Sequence, residues 1–349
     1  MKNLLIKGEN LDALIHLRDG LNLRGKVDLV YIDPPFATGG EFKTDASGRV
    51  ATISKADDGN LAYSDKLKGR EFIEFLRERV QVIYDLLSEQ GSFYLHIDYK
   101  IGHYVKVMLD EVFGMDNFRN DITRIKCNPK NFSRIGYGNI KDMILFYTKG
   151  KKPIWHEPRL PMTEAEIAVL YTKTDKAGRR YTTVPIHAPG ETKDGKSCQP
   201  FKGILPPKGR HWRCSVEELE ELDRQGLIEW SSTGNPRKIN YADDHQTKKM
   251  QDIWEFKDPM SPIYPTEKNH EMLHTIISAS SNEGSVVLDC FAGSGGTLVE
   301  AMKLGRAWIG VDKSPIAIQT IQNNIAGNAS FFNDTAYDFL DLTAAQGSL

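Results

Sequence analysis

The chain has 349 residues, 40% of them hydrophobic and 26% charged, the composition of a soluble globular protein with room for one large domain plus an insert. No stretch approaches the roughly 18 apolar residues of a membrane span, and the first residues lack a signal peptide's apolar run, so a cytoplasmic setting without membrane contact is expected. The net charge of −2 gives no overall attraction for nucleic acid, and the four cysteines (Cys127, Cys198, Cys214, Cys290) show no metal-ligand spacing, which suits a reducing compartment and no metal.

Residues 4–6 read as a short strand, and Asn10 stands where it can cap a helix carrying Leu11, Leu14, Ile15 and Leu17. Residues 27–32 form the next strand, apolar apart from Asp28, and deliver Asp33, Pro34, Pro35 and Phe36 to its C-terminal end. Ligands of open α/β sheets bind beyond the carboxyl ends of the strands. Two prolines stiffen the backbone there and remove two N–H donors, so carbonyls remain free to accept. A carboxylate, a carbonyl and an aromatic face make a small claw suited to a planar ring with an exocyclic amine.

Residues 37–69 read as a polar surface loop beside the claw, placed to act as a lid. An amphipathic helix over 70–88 presents Phe72, Phe75, Leu76, Val80, Ile83 and Leu87 on one face. A core strand follows at 91–98, with His96 read as a core histidine holding a satisfied partner, then a helix over 101–113. Residues 119–141 read as an exposed basic loop and 143–148 as a strand. From Arg119 to Lys152 nine Lys/Arg face two acids, and from Lys173 to Arg213 ten face three, so local stripes offer phosphates a footprint that the net charge hides.

The composition changes after residue 153, where Pro and Gly become dense. Within 154–261 the clear elements are a helix over 215–225, opened by the capping box Ser215/Glu218, and a hairpin around residues 233–236. The expected organisation is 1–153 as the first part of the core, 154–261 as an inserted domain, 262–330 as its second part, and 331–349 as a tail without structure. The second part reads as a helix over 270–281, a buried strand over 285–289, a glycine turn over 291–297, a helix to 304, a strand over 307–312 and a helix over 314–324.

Strand, glycine turn, helix, strand and acid is the arrangement that binds nucleoside cofactors. Glycines admit the ligand to the backbone, the helix N-terminus offers N–H groups, and the acid, here Asp312, accepts from ribose hydroxyls. Phe291-Ala292-Gly293-Ser294-Gly295, taken with Asp33-Pro34-Pro35-Phe36, resembles the S-adenosylmethionine-dependent DNA amino-methyltransferases. Because the claw precedes the glycine turn, the chain is similar to their permuted β-class, in particular to modification subunits of type III restriction-modification systems. The resemblance implies an α/β fold: a Rossmann-like, circularly permuted methyltransferase sheet with a target-recognition insert.

It also implies methyl transfer from S-adenosyl-L-methionine to the exocyclic amine of a flipped base, adenine N6 first and cytosine N4 as the alternative. Asp33, Pro34, Pro35 and Phe36 would be catalytic. Phe291, Gly293, Gly295, Asp312 and Asp289 would bind the cofactor, with Thr266 and Lys268 near its methionine end and Glu9 or Asn10 near its adenine. Double-stranded DNA, a second copy and a restriction subunit are the implied partners. The competing readings are an NAD-type oxidoreductase, which leaves Asp33–Phe36 unexplained, a methyltransferase acting on protein or small molecules, and an inactive DNA-binding module.

Overall fold

The computed structural model describes residues 1–35, 69–129, 133, 135–192, 194–244, 246–259, 267–328 and 335–343, together with the backbone of strands 41–44 and 60–64. Contacts divide the chain into two units, one of Met1–Pro158 with Gln251–Leu349 and one of Arg159–Met250. No helix among the described residues is long and apolar enough to cross a membrane.

The larger unit is built on a nine-stranded sheet. In chain order its strands are β1 (Asn3–Lys7), β2 (Val27–Ile32), β3 (Leu87–Ile97), β4 (Phe118–Ile125), β5 (Lys141–Thr148), β6 (Ile253–Trp254), β7 (Val286–Asp289), β8 (Ala307–Asp312) and β9 (Tyr337–Asp341). Across the sheet the order is β6-β4-β5-β3-β2-β7-β8-β1-β9. The strands from β3 to β9 in that order all run parallel, whereas β5 runs antiparallel to β3 and β4. The helices are α1 (Asn10–Ile15), α2 (Arg70–Leu86), α3 (Tyr99–Phe113), α4 (His270–Ser280), α5 (Gly296–Lys303) and α6 (Pro315–Gly327). Leu29, Val30, Ile32, Leu288, Ile309 and Val311 are fully buried, as continuous apolar runs in a parallel sheet require.

Asp28, the acid inside β2, accepts from Ser88 Oγ at 3.0 Å and from Val286 N at 3.0 Å. It ties the starts of β3 and β7 to β2. The central pairing sets Val287 beside Leu29 and Leu288 beside Val30. Strands that meet in parallel end at the same edge, so this pairing brings the claw and the glycine turn together.

Several expectations are corrected. Asn10 does not cap α1: Glu9 occupies the N-cap position without a side-chain cap bond, and Asn10 is the first helical residue, its side chain turned into the core. The first part of the expected basic loop, residues 119–125, lies in strand β4, where Arg124 is buried with Phe256 O at 2.7 Å and Asp258 at 2.5 Å as partners. A buried charge that is paired costs far less than a lone one, so a polar sequence can run inside the sheet. The expected tail contains β9, joined to β1 by Lys7–Asp341 at 2.9 Å and by Lys2–Asp338. Strands 41–44 and 60–64, inside the expected loop, pair antiparallel, and the rest of the proposed lid lies outside the described residues.

The smaller unit carries a four-stranded antiparallel sheet ordered Ile228–Trp230, Pro236–Tyr241, Arg180–Pro185 and Lys173–Thr174, the first two being the anticipated hairpin. Its core is small: Ile186, Phe201, Trp212 and Leu219. Helix Val216–Arg224 starts at the anticipated capping box, and a second helix, Glu164–Leu170, starts at an equivalent box of Thr163 and Glu166. Trp212 is 1% exposed and donates from Nε1 to Gln199 O at 2.9 Å.

Truncating an aromatic that supplies so much of so small a core costs about 3–5 kcal/mol. Trp212→Ala is therefore expected to open residues 159–250 to hydrogen exchange while β2, β7 and β8 stay protected. Equal loss of protection in both units would show that they fold as one.

Candidate active site

The carboxyl edge of the sheet gathers Glu9 after β1, Asp33 after β2, and Asp289 and Asp312 at the ends of β7 and β8. Asp33 is mostly enclosed, its side chain 15% exposed. Its Oδ2 meets Lys268 Nζ at 2.5 Å, while Oδ1 is buried without a hydrogen-bond partner among the described residues. Pro34 behind it is buried and Pro35 half-buried. Phe36 and Thr266 lie outside the described residues.

The orphan oxygen has a physical cause in the layer beneath it. His96 is fully buried, with Nδ1 at 3.0 Å from Tyr31 Oη and Nε2 at 3.3 Å from Asp142. Lys126 reaches the same Asp142 at 2.6 Å. Burial pushes the His96 pKa down against the pull of Asp142, which keeps the ring neutral. For Asp142, burial acts upward, yet His96 and Lys126 hold the carboxyl well below its ordinary range. A carboxylate only accepts, so the neutral ring donates Nε2–H to Asp142 and takes the Tyr31 O–H at Nδ1. His96 Nδ1 stands 4.0 Å from Asp33 Oδ1 and has no proton to offer it. The expectation of a core histidine with a satisfied partner thus holds.

The glycine turn is shaped by two acids. Asp289 accepts from Phe291 N at 3.0 Å and Thr297 Oγ1 at 2.7 Å, using both oxygens to hold the loop from beneath. Burial raises its pKa to about 7 in spite of those bonds. Asp312 accepts from Gly293 N at 2.9 Å through Oδ2 and from Ser314 N at 2.9 Å through Oδ1, and burial raises its pKa too. Each carboxylate oxygen has a second lone pair, so Asp312 keeps acceptor capacity for a ligand hydroxyl. Gly293 and Gly295 sit at φ 52° and 82°, and a Cβ on Gly295 would lie 3.0 Å from Ile321 Cγ1, so glycine is required there.

Three features escaped the sequence reading. Lys268 was expected beside a cofactor, and its ammonium sits on the claw acid. Arg79 is 5% exposed and bonds to Asn10 Oδ1 and Glu9 Oε1, each at 2.6 Å. Its position among Phe72, Phe75, Leu76, Val80 and Ile83 on the buried face of α2 was the signal. His270, between Glu267 at 3.3 Å and Glu300 at 2.9 Å, has its pKa raised to about 9 by those bonds.

The basic stripes are partly absorbed by structure. Arg119 donates to Thr148 Oγ1 at 2.9 Å, and Arg124 and Lys126 are used as described. Arg179 pairs with Asp243 at 2.7 Å, Lys173 with Glu229 and Lys202 with Asp223. Arg180, Lys208 and Arg210 are exposed.

Comparison with known proteins supplies the remaining link. A family model described as DNA methylase matches residues 27–323. The type II methyltransferase M.EcaI of Enterobacter cloacae is 41% identical over 308 residues, covering 86% of this chain and 65% of its own length. The StyLTI Mod subunit of a type III restriction-modification enzyme from Salmonella typhimurium strain LT2 is 26% identical over 336 residues, covering 86% of this chain and 50% of its own. The chain therefore spans between half and two-thirds of these relatives, and the type III likeness holds at lower identity than the type II one. TTHA0409 of Thermus thermophilus, complexed with S-adenosyl-L-methionine, shares the fold at a TM-score of 0.50 and 16% identity, over 98% of this chain and 99% of that one. The family match runs from the claw strand through the glycine turn to the last helix, and the chain belongs to the N6/N4 DNA methylase family.

Proposed function

We propose that the protein is a site-specific DNA methyltransferase that uses S-adenosyl-L-methionine to methylate the exocyclic amine of a base, adenine N6 before cytosine N4. The observation that carries this reading is the division of labour within Asp33. One oxygen is held by Lys268; the other is buried, unpartnered among the described residues and left without a donor by neutral His96. A buried carboxylate oxygen without a partner is costly, and an incoming N–H removes that cost.

The amine of adenine or cytosine is conjugated into its ring and is a weak nucleophile. Asp33 Oδ1 and the Pro34 carbonyl would accept its two N–H bonds and free the nitrogen lone pair for attack. S-adenosylmethionine, when bound, supplies the electrophilic methyl of its sulfonium. The protein's share is placement and electrostatics: as the nitrogen takes the methyl and the methyl–sulfur bond breaks, one amine proton would leave by way of Asp33 Oδ1 to solvent, with no strong base required. A target base inside a duplex is out of reach, so it would be flipped, with Phe36 as the stacking face.

Phe291, Gly293, Gly295 and Asp312 would hold the cofactor, Asp312 at the ribose, with Asp289 supporting the turn and Asn10 near the adenine. Residues 159–250 would read the DNA sequence. Double-stranded DNA is the expected partner, with a second copy and a restriction subunit as further ones, in the cytoplasm.

Asp33→Ala is expected to abolish methyl transfer in a radiolabel assay and leave cofactor affinity near the wild-type value by calorimetry. Wild-type turnover in that variant would remove Asp33 from the chemistry. Asp312→Ala should act first on the cofactor, since lost hydrogen bonds to a charged acceptor cost about 1.5–3 kcal/mol, or roughly ten- to hundredfold in affinity. An unchanged dissociation constant would place the ribose elsewhere. Replacing Arg180, Lys208 and Arg210 with Gln should weaken duplex binding and flatten its log–log salt slope by about 0.9 for each phosphate no longer neutralised. Coincident slopes in a fluorescence-anisotropy salt series would show those side chains to be a solvated face.

A further inference from the structure

Arg79 is a buried charged residue, 5% exposed, on a helix face that is otherwise apolar. It lies on the inward face of α2, where a Leu or Met would fill the space without the cost of burying a guanidinium. Its three nitrogens are all used: Nε on Asn10 Oδ1 at 2.6 Å, Nη2 on Glu9 Oε1 at 2.6 Å and Nη1 on Phe75 O at 2.8 Å. Glu78, largely exposed, lies 3.8 Å from Nη1. The guanidinium also covers the Phe75 ring, its carbon 3.5 Å from the centroid.

The contacts to Asn10 and Phe75 lead to the glycine turn, and the one to Glu9 leads to the residue after Asp312. Asn10 Nδ2 donates to Cys290 O at 3.3 Å, on the residue directly before Phe291. The Phe75 ring that carries the guanidinium packs against the Phe291 ring at 6.3 Å between centroids. The second oxygen of Glu9 faces Lys313 at 3.5 Å, the residue after Asp312. Glu9 itself stays ionised: burial acts upward on its pKa, but Arg79 and Lys313 hold it below the ordinary value.

We infer that Arg79 is a positioning residue of the cofactor site, a planar fork that fixes Glu9, Asn10 and Phe291 in the places from which they meet the nucleoside. The inference rests on the cofactor reading above and adds to it a residue that touches no ligand. A lysine cannot replace it, because a single ammonium has no flat fork to reach the Asn10 oxygen and the Glu9 carboxylate together. Removing Arg79 leaves Asn10 Oδ1 without its charged donor and frees the amide to turn away from Cys290. It also leaves Glu9 with Lys313 alone. The nucleoside would then meet a site that must be ordered at the moment of binding.

The test uses Arg79→Lys and Arg79→Met in the full chain, with calorimetric titration of S-adenosylmethionine, steady-state kinetics on duplex DNA and thermal denaturation. Both variants are expected to raise the cofactor KM and Kd roughly ten- to hundredfold, with kcat at saturating cofactor changing less than about threefold. The KM for DNA should stay near wild type. Should Arg79→Met fail to fold, Arg79→Lys decides alone, since it keeps both the charge and most of the volume. A wild-type cofactor KM in a folded variant overturns the inference. So does a uniform loss, in which the melting point, kcat and both KM values worsen together, because that is what a merely structural ion pair would give. If the wild-type chain binds no S-adenosylmethionine, it is the cofactor reading that fails.

Discussion

The architecture depends on one pairing: β2 against β7, Leu29 beside Val287 and Val30 beside Leu288. The strands are far apart in the chain, yet their parallel register ends both at one edge. Asp33 emerges from one and the glycine turn from the other. Asp28 secures the opposite ends, bonding to Ser88 and to the first amide of β7. A one-residue slip would turn the alternate side chains of β7 about and carry Asp289 away from Phe291 and Thr297. Register, more than any single side chain, makes the two motifs one site.

Along that edge the protein concentrates negative charge and then assigns it. Asp289 and Asp312 each accept one bond at each oxygen, from the glycine turn and, for Asp312, also from Ser314, while Asp33 keeps one oxygen without a hydrogen-bond partner among the described residues. Glu9 is neutralised by Arg79 and Lys313. The cations come from three places, α2, the turn after β8 and the segment before α4, so the balance exists only in the folded chain. Beneath it, the Tyr31–His96–Asp142–Lys126 chain holds a neutral imidazole against the claw, and the neutrality leaves Asp33 Oδ1 available.

Apolar runs at 27–32, 286–289 and 307–312, the glycine turn and the Ser215 capping box were all legible, because each is a local statement about backbone or burial. The same capping signal at Thr163 and Glu166 was equally local and went unread. The strand at 118–125 and the one at 337–341 were not legible, since each is stabilised by partners distant in sequence: Asp258 for Arg124, and Lys2 and Lys7 for Asp338 and Asp341. Lys268 was linked to the site by its surroundings in sequence, but nothing local could say that its ammonium would rest on Asp33. Arg79 is intermediate. Its place in the apolar register of α2 marked it as buried, and only the fold names what it holds.

Strand β9 has an effect beyond adding area to the sheet. Without it β1 would be an outermost strand, with a row of free amides and carbonyls open to any extended chain. Tyr337–Asp341 fills that row in parallel, and its acids neutralise the lysines of β1 and of the residue before it. On the far side of β1 lies β8, which ends in Asp312. The last described strand thus moves the open row outward to β9, where Asp338 and Asp341 stand, so an incoming chain meets charged side chains at an edge one strand further from Asp312.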